Sequence, residues 1–296
     1  MPTGRLIAVI NEAYAALNSE SDLSPANPRI NAALTALVQG VMDASVHSSD
    51  PGCDPADVLD HPDVRPIWAA LRHGLALAEG AMERWWAQRL VALASTRIGD
   101  LARFPYWDCY RTLVAAELRH VPPGPKLRSG ESVAVVGAGP LPLTAIFIHA
   151  LAGGLPVTCI DIDPEACRLA RALIGKVGLA GLAVRCIDGA QHDYASHPVV
   201  LVASLVPGKV ATVRRIQATR PRALVALRSA EGLCTLLYEP VDEAAIAALG
   251  CGLVARTGHN PRVINTTLFY DAGADAGCVG GAKRSADATH STSVPP

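Results

Sequence analysis

Two glycines and two aspartates are spaced in this chain as the residues that hold a nucleoside are spaced in α/β proteins. Gly137 and Gly139 directly follow a β-branched run, and because neither carries a Cβ, the backbone there can approach a ligand closely. Asp161 lies 24 residues (161 − 137) beyond the first glycine, where a carboxylate can accept both hydrogen bonds of a ribose diol. Asp188 ends a third apolar run, where an acid commonly contacts the exocyclic amine of adenine. Together these residues predict an adenosine site.

Each of these residues also has a plainer interpretation. The glycine turn could pack a helix against the sheet without a ligand, and Asp188 could simply close a turn. Asp163 precedes Pro164, and we interpret it as the N-cap of a helix with proline at its first position. Pro142 occupies the place of the third glycine of a dinucleotide fingerprint, which disfavours a pyrophosphate. An adenosine site without phosphates points to S-adenosylmethionine as the ligand.

The second half of the chain alternates short apolar runs with helical segments, and these runs are the strands that must position the site. Five runs fit parallel strands, at residues 132–136, 157–160, 183–187, 199–202 and 223–227. Two later runs, at 253–257 and 263–270, fit an antiparallel finish. Strands that alternate with helices predict an α/β fold, with helices on both faces of a mostly parallel, Rossmann-like sheet.

The first half is predicted to be helical. Apolar residues recur at helical spacing from residue 5 to about 120, with helices expected at 66–96 and 107–118. Prolines at 122, 123 and 125 end this part and mark a domain boundary. We therefore divide the chain into a helical N-terminal lid and substrate domain at 1–121, a Rossmann-like domain at 122–271, and a tail at 272–296. The tail is expected to be disordered because it lacks apolar periodicity.

Composition disfavours several classes of function. Twenty-six Lys and Arg against 27 Asp and Glu give a net charge of -1, so charge offers no basis for binding nucleic acid or an acidic membrane. Aromatic residues make up 4% of the chain, which is too few for base-stacking platforms. The 8 cysteines form no CxxC pair, and no apolar run approaches the roughly 18–20 residues of a membrane span. We expect a cytoplasmic protein with reduced thiols and no bound metal.

Five segments of the chain together resemble one family, in the family's order and across residues 5–270. They are Leu23-Ser24-Pro25 with Arg29-Ile30-Asn31, Ala78-Glu79-Gly80 with Glu83, Phe104-Pro105-Tyr106-Trp107 through Tyr110 and Glu117, Val136 to Thr144, and Arg228-Ser229-Ala230-Glu231-Gly232 with Leu237-Tyr238. The glycine turn continues as Gly-Pro-Leu-Pro-Leu-Thr, which is distinctive. The chain is similar to the nicotianamine synthases and to their bacterial relatives in staphylopine- and pseudopaline-type opine metallophore synthesis.

The resemblance implies an unusual use of S-adenosylmethionine. In such enzymes an amine attacks the methionine γ-carbon, the 3-amino-3-carboxypropyl (2-aminobutanoyl) group moves to that amine, and 5'-methylthioadenosine leaves. We expect transfer of one unit to histidine, because Glu231 stands where the family usually has His and because the chain is compact and rich in Ala, Gly and Arg. L-histidine is the expected enantiomer. The alternatives are a nicotianamine synthase that condenses S-adenosylmethionine units, an ordinary methyltransferase, and a non-catalytic binder of a metallophore or nucleoside.

The resemblance also assigns site residues by position. The attacking amine is mostly protonated at neutral pH and needs a base, so we predict Glu79 as the base and Tyr106 as a relay for the proton. Glu79 falls in an apolar stripe of its helix, so its pKa should be raised if it is not paired. The predicted donor-binding residues are Gly137, Gly139, Pro140, Leu141, Asp161 and Asp188, and the predicted substrate-binding residues are Glu83, Tyr110 and Arg228.

Structural roles compete with these assignments on the helices. Glu79 could instead form an ion pair with an arginine. For Glu83, pairing with a solvent-facing arginine is the simpler interpretation, with substrate contact second. Tyr106 and Tyr110 could both be aromatic residues packed in the core.

The same choice arises in the second half of the chain. Arg228, at the end of the fifth strand, could clamp a substrate carboxylate or form a salt bridge with Glu231 or Glu239. His192 and His197 are interpreted as surface residues, because neither has a metal-ligand partner at a useful spacing. The resemblance further implies a downstream opine dehydrogenase as a pathway partner, and a homodimer.

Overall fold

The computed structural model describes residues 1–46, 54–121, 128–258, 260 and 262–273. Most of the predicted proline-rich boundary and the tail from residue 274 onward lie outside the described residues. Within the described ranges, no helix is both long and apolar enough to cross a membrane.

The N-terminal half is helical, as the spacing of its apolar residues predicts. Its helices are α1 (Thr3–Ser19), α2 (Pro28–Val46), α3 (Pro55–Leu59), α4 (Trp68–Ala92) and α5 (Trp107–Leu118), with a 3₁₀ helix at Ile98–Arg103. Helix α2 begins where Asn27 Oδ1 accepts from the backbone N–H of Arg29 at 3.0 Å. Helix α4 is shorter than predicted, because the chain folds back after Ala92 and the Thr96 hydroxyl donates to the Leu90 carbonyl at 2.7 Å.

The second half is a seven-stranded sheet with helices on both faces. Its strands are β1 (Val133–Val136), β2 (Val157–Asp161), β3 (Leu182–Cys186), β4 (Val199–Val202), β5 (Leu224–Ser229), β6 (Gly252–Arg256) and β7 (Thr266–Asp271). Its helices are α6 (Leu143–Leu151), α7 (Pro164–Val177), α8 (Lys209–Thr219) and α9 (Glu243–Ala247). The strand order is β3-β2-β1-β4-β5-β7-β6, in which β7 alone runs antiparallel to its neighbours β5 and β6. The predicted α/β class and antiparallel finish are confirmed.

Parallel pairing brings the predicted nucleoside residues to one edge of the sheet. Strands β1 and β4 are buried along their whole length, so they form its centre. Val136 of β1 lies beside Ile160 of β2, and therefore the glycine turn and Asp161 follow two neighbouring strand ends. Helix α7 starts directly afterwards, where Asp163 accepts from Glu165 N at 2.8 Å as the predicted N-cap.

The helical half packs against the second half of the chain through two buried apolar clusters. Val114 of α5 and Phe104 belong to one buried cluster with Val135 of β1. A second cluster joins α1, α2 and α4 to Leu233 and Leu236, which follow β5. Residue 121 therefore divides two kinds of secondary structure, and these two clusters extend across it, whereas a third cluster lies entirely in the second half.

Candidate active site

A cavity of about 810 Å³ lies between the carboxyl ends of the parallel strands and the N-terminal helices. Helices α2, α4 and α5 form one wall, and the ends of β1, β2 and β4 form the other. The cavity is lined by most of the predicted site residues, namely Glu79, Glu83, Tyr106, Tyr110, Gly137, Gly139, Pro140, Asp161, Asp188 and Arg228. Its size and its mixture of apolar wall and convergent polar groups are typical of a small-molecule site.

The glycine turn is held in shape by Asp161. Gly137 and Gly139 have φ angles of 73° and 69°, which L residues rarely adopt. The Gly139 N–H donates to Asp161 Oδ2 at 2.8 Å, and the Asp163 N–H donates to Asp161 Oδ1 at 3.0 Å. A Cβ on Gly139 would lie 2.5 Å from Glu83 Oε2. The turn therefore presents backbone to the cavity, with two carboxylates beside it.

The other predicted donor-binding residues divide between the cavity and the core. Asp188 lines the cavity, while its Oδ1 accepts from Ala190 N at 2.9 Å, so it also closes a turn. Pro140 lines the cavity as well. Leu141 does not, because its side chain is 2% exposed and packs in the cluster that contains Val135. The Leu141 side chain therefore anchors the turn from below, and the assignment of Leu141 to donor binding stays a prediction.

Glu79 on α4 faces the cavity and is paired with a phenol. The Tyr238 hydroxyl donates to Glu79 Oε1. Burial raises the pKa of Glu79 to about 7, although the hydrogen bond from Tyr238 acts in the opposite direction. The alternative of an ion pair between Glu79 and an arginine is wrong, and the expected rise in its pKa is confirmed.

Glu83, one helical turn further along α4, forms a second carboxylate–phenol pair. The Tyr110 hydroxyl donates to Glu83 Oε1 at 2.9 Å. Burial raises the pKa of Glu83 to about 8, and the negative charge of Glu79 contributes to the rise. The expected pairing of Glu83 with a solvent-facing arginine is wrong, because this face of α4 points into the cavity. Two groups that can accept protons near neutral pH thus lie side by side.

Tyr106 is the third phenol of this wall. It lines the cavity at the start of α5 and packs edge-on against Phe104, with ring centroids 5.8 Å apart. Burial raises the pKa of Tyr106, and the charge of Glu79 adds to this. Tyr106 therefore combines the core packing of the simpler interpretation with a cavity position, and its role as a proton relay stays a prediction.

Arg228 is held by a carboxylate that neither predicted salt bridge included. Its Nε and Nη2 donate to the two carboxylate oxygens of Glu117 at 2.9 and 3.0 Å, and its Nη1 donates to Thr144 Oγ1 at 3.0 Å. Both charged side chains are almost fully enclosed. Glu231 pairs instead with Arg256, at 2.5 Å, so the expected bridge from Arg228 to Glu231 or Glu239 is wrong. The bidentate geometry expected for a substrate carboxylate is already taken up by Glu117.

The interpretation of His192 and His197 as surface residues is also wrong. His197 is 4% exposed, and its Nε2 lies 3.1 Å from Nε2 of the half-buried His192. Its Nδ1 lies 3.1 Å from Ser132 Oγ, at the start of β1. Burial lowers the pKa of both histidines. In the part of the chain that the structure describes, no group of three or more metal-ligating side chains occurs.

Known proteins share both this sequence pattern and this fold. The family model described as "Nicotianamine synthase protein" matches residues 3–274. Nicotianamine synthase 9 of Hordeum vulgare is 31% identical over 282 residues, which cover 89% of this chain and 78% of that protein. The chain belongs to the nicotianamine synthase family.

Solved structures of one protein, MtNAS, share the architecture. A Glu-to-Gln mutant in complex with S-adenosylmethionine superposes with a TM-score of 0.73 at 21% identity, covering 90% of this chain and 97% of that one. A complex of MtNAS with MTA and tNA superposes equally well at 22% identity, covering 88% and 96% of the two chains. At this identity the likeness supports the fold, which is that of a nicotianamine synthase.

Tyr238 and Arg262 line the cavity of this nicotianamine synthase family member but are not among the predicted site residues. Tyr238 lies in one of the segments that resemble the family, but nothing in that segment indicates that its hydroxyl contacts Glu79, 159 residues away. Arg262 lines the cavity from the loop before β7. The only signal for it was a lone arginine next to an apolar run, which is common in loops.

The glycine turn gives a first testable expectation for this family member. Gly139→Ala should weaken the binding of S-adenosylmethionine by at least about tenfold. An alanine would be strained at the positive φ of this position, and its Cβ would displace the Glu83 carboxylate. Gly153→Ala is a matched control, since Gly153 has a φ of 68° with no atom near its missing Cβ and lies outside the cavity. Isothermal titration of both variants measures the difference. Equal affinities would show that the Glu83 contact does not shape the site.

Proposed function

We propose that this protein transfers the 3-amino-3-carboxypropyl group of S-adenosylmethionine to the amine of an amino acid and releases 5'-methylthioadenosine. The observation that carries the proposal is the pair of cavity carboxyls with raised pKa, Glu79 and Glu83, beside the glycine turn. An amine acceptor needs a nearby base, and these carboxyls can supply one. Transfer of the 3-amino-3-carboxypropyl group, and not of methyl, is supported by membership of the nicotianamine synthase family.

The donor is placed by the turn and the strand ends. Asp161 and Asp188 line the cavity at the ends of β2 and β3, where they suit the ribose diol and the adenine amine. This puts the sulfonium end towards α4, where Glu79 and Glu83 lie. The complexes of MtNAS with S-adenosylmethionine and with MTA support the same donor and the same leaving product.

The chemistry balances with one base. The amine nitrogen attacks the methionyl γ-carbon, the bond from that carbon to sulfur breaks, and its electron pair stays on sulfur as neutral 5'-methylthioadenosine. Before this attack, ionised Glu79 accepts a proton from the acceptor's ammonium group, which frees the electron pair of the nitrogen, and Tyr106 is placed to relay that proton. The nitrogen of the product stays protonated as a secondary ammonium. All three carbons on the sulfonium are electrophilic, so the choice of the γ-carbon depends on how the cavity orients donor and amine.

Two acceptors fit this cavity. Membership of the nicotianamine synthase family favours nicotianamine as the product, with the aminobutanoyl chain of a further S-adenosylmethionine unit as the acceptor. Histidine is supported by the apolar wall that Leu34, Val38 and Met42 present to the cavity, because the imidazole ring can pack on this wall better than a chain that carries two charges. L-histidine is the enantiomer that we propose. Glu231 no longer supports histidine, because it pairs with Arg256 and does not line the cavity. The downstream opine dehydrogenase depends on the histidine branch.

Mass spectrometry of the purified protein with S-adenosylmethionine, alone and with L- or D-histidine, tests the proposal. A histidine adduct with one aminobutanoyl unit plus 5'-methylthioadenosine would select the metallophore branch. Nicotianamine formed without an added acceptor would select self-condensation. S-adenosylhomocysteine as the nucleoside product would overturn the proposal in favour of methyl transfer. No nucleoside product at all would favour a non-catalytic binder.

The assignment of Glu79 as the base predicts a pH dependence of the reaction rate that the Tyr238 hydroxyl shifts. Glu79 acts as a base only when ionised, so the rate should rise as pH increases through about 7. The hydrogen bond from Tyr238 lowers the pKa of Glu79, so Tyr238→Phe should move this rise to higher pH by about one unit. Initial rates of 5'-methylthioadenosine release between pH 5.5 and about 9 measure it.

Tyr14→Phe is the matched control for that profile, because Tyr14 lies on α1 outside the cavity. An acceptor amine that titrates in the same range would give a rise of the same sign in every variant. An identical profile in wild type and Tyr238→Phe would therefore assign the rise to the acceptor and remove Glu79 from it.

A further inference from the structure

The proposed reaction brings carboxylates into the cavity, and these need a cationic partner. The donor carries one on its methionyl end, and an amino acid acceptor carries another beside the attacking amine. Such groups stay ionised at neutral pH, and an unpaired anion in a half-enclosed site is costly. Among the described residues, the cations that line the cavity are Arg84, Arg228 and Arg262, with no lysine or histidine beside them.

Two of these three arginines are already bound to carboxylates of the protein. Arg228 donates hydrogen bonds from its Nε and Nη2 to the Glu117 carboxylate. Arg84 donates from Nη2 to Asp163 at 3.1 Å, at the end of the cavity next to β2. The charges of both are therefore compensated before any substrate arrives.

Arg262 is different, because no described residue forms a hydrogen bond or ion pair with its guanidinium. The Arg262 N–H donates to Asn260 Oδ1 at 2.9 Å, and three residues further on Asn265 donates to Ser204 Oγ at 2.6 Å. The exposed side chain lies at the rim of the cavity. A guanidinium without a partner at this rim can donate two parallel hydrogen bonds to a carboxylate.

The position of Arg262 in the fold indicates which carboxylate it meets. It precedes β7, which is separated from β1 by β4 and β5, whereas the predicted donor residues follow β1, β2 and β3. Ile264, two residues on, packs against the apolar cluster of α1, α2 and α4. Arg262 therefore belongs to the acceptor side of the cavity.

We propose that Arg262 binds the α-carboxylate of the amino acid acceptor and so orients its amine towards the donor. This inference rests on the proposed function, and it adds the residue that recognises the free carboxylate of the amino acid acceptor. Acceptors that lack this carboxylate should bind poorly even when their amine and side chain are intact.

Calorimetric titration of the full chain, saturated with 5'-methylthioadenosine, tests this with two probes. L-histidine and L-2,4-diaminobutanoate represent the two candidate acceptors, and the carboxamide of each is its uncharged counterpart. Arg262→Ala should weaken binding of the acid that wild type prefers by about 10- to 100-fold. Its affinity for 5'-methylthioadenosine should stay within about twofold, and Arg262→Lys should recover part of the loss.

The carboxamides separate charge recognition from a general disturbance of the site. Wild type should prefer each acid over its amide, and Arg262→Ala should remove that preference. Arg222→Ala, at an exposed arginine just before β5 and outside the cavity, is the matched control and should behave as wild type. Unchanged affinity in Arg262→Ala, an equal loss for acid and amide, or wild type that binds neither acid would each overturn the inference.

Failure of the inference and failure of the proposed function give different readings. Release of 5'-methylthioadenosine from S-adenosylmethionine reports the function and does not depend on these titrations. Turnover together with normal binding by Arg262→Ala would overturn only the role of Arg262. Absence of nucleoside release from wild type would overturn the transferase, while the titrations would still report whether Arg262 binds a carboxylate.

Discussion

Glu79→Gln is expected to reduce turnover by about 10²- to 10⁴-fold while the affinity for S-adenosylmethionine stays within about threefold. The amide keeps the shape of the side chain and can still accept the hydrogen bond from Tyr238, but it cannot take a proton from an amine. Single-turnover release of 5'-methylthioadenosine, measured beside calorimetric binding of the donor, separates the two effects. A non-catalytic binder would lose nothing measurable.

Glu83→Gln is the matched control for this prediction. Glu83 lies one turn along the same helix, has its own phenol partner and has its pKa raised by the same cause. Its Oε2 lies next to Gly139, on the donor side, so its loss should fall mainly on donor affinity. Full turnover in Glu79→Gln with a large loss in Glu83→Gln would exchange the two roles.

The sequence predicted the sheet well because each strand carries its own signal. Runs such as Val199–Val202 are too apolar to face water on either side, and this places them at the centre of a parallel sheet. The short helices α3 and α9 were not foreseen, because five residues give no measurable periodicity. The order of helices and strands follows from the local spacing of apolar residues. The two apolar clusters that extend across residue 121 depend on tertiary packing, which local spacing does not reveal.

The site was predictable where a side chain's own helix or strand end fixes its surroundings. Glu79 falls within an apolar stripe, so its raised pKa follows from the sequence. The salt-bridge partner of Arg228 was predicted wrongly, because Glu117 is 111 residues away in the sequence. The role of Arg228 as a substrate clamp stays a prediction. The prediction that His197 lies on the surface was wrong, because the polar loop that contains it packs against the start of β1. Long-range polar pairing has no period in the sequence, and the three-dimensional fold alone determines it.

Glu117→Ala is expected to lower the free energy of unfolding by about 3–5 kcal/mol, because it leaves a buried guanidinium without its counter-charge. The Glu117 and Arg228 side chains are 3% and 5% exposed, and Glu117 Oε1 also accepts from Thr267 Oγ1 at 2.7 Å. Urea denaturation followed by fluorescence measures the change. Glu165→Ala is the matched control, because Glu165 pairs with Arg168 at 2.7 Å in solvent, where the effect should be far smaller.

A double variant shows whether the buried pair stabilises the fold or serves a ligand. Replacing Glu117 with Leu and Arg228 with Met removes both buried charges. The free energy of unfolding of this double variant should therefore be higher than that of Glu117→Ala alone. If Arg228 served mainly as a substrate clamp, Glu117→Ala would free its guanidinium, tighten acceptor binding and leave stability nearly unchanged. Loss of stability without tighter binding places Arg228 in the supporting structure of the site. Among the residues that the structure describes, this leaves Arg262 as the cavity arginine whose charge is free for an incoming carboxylate.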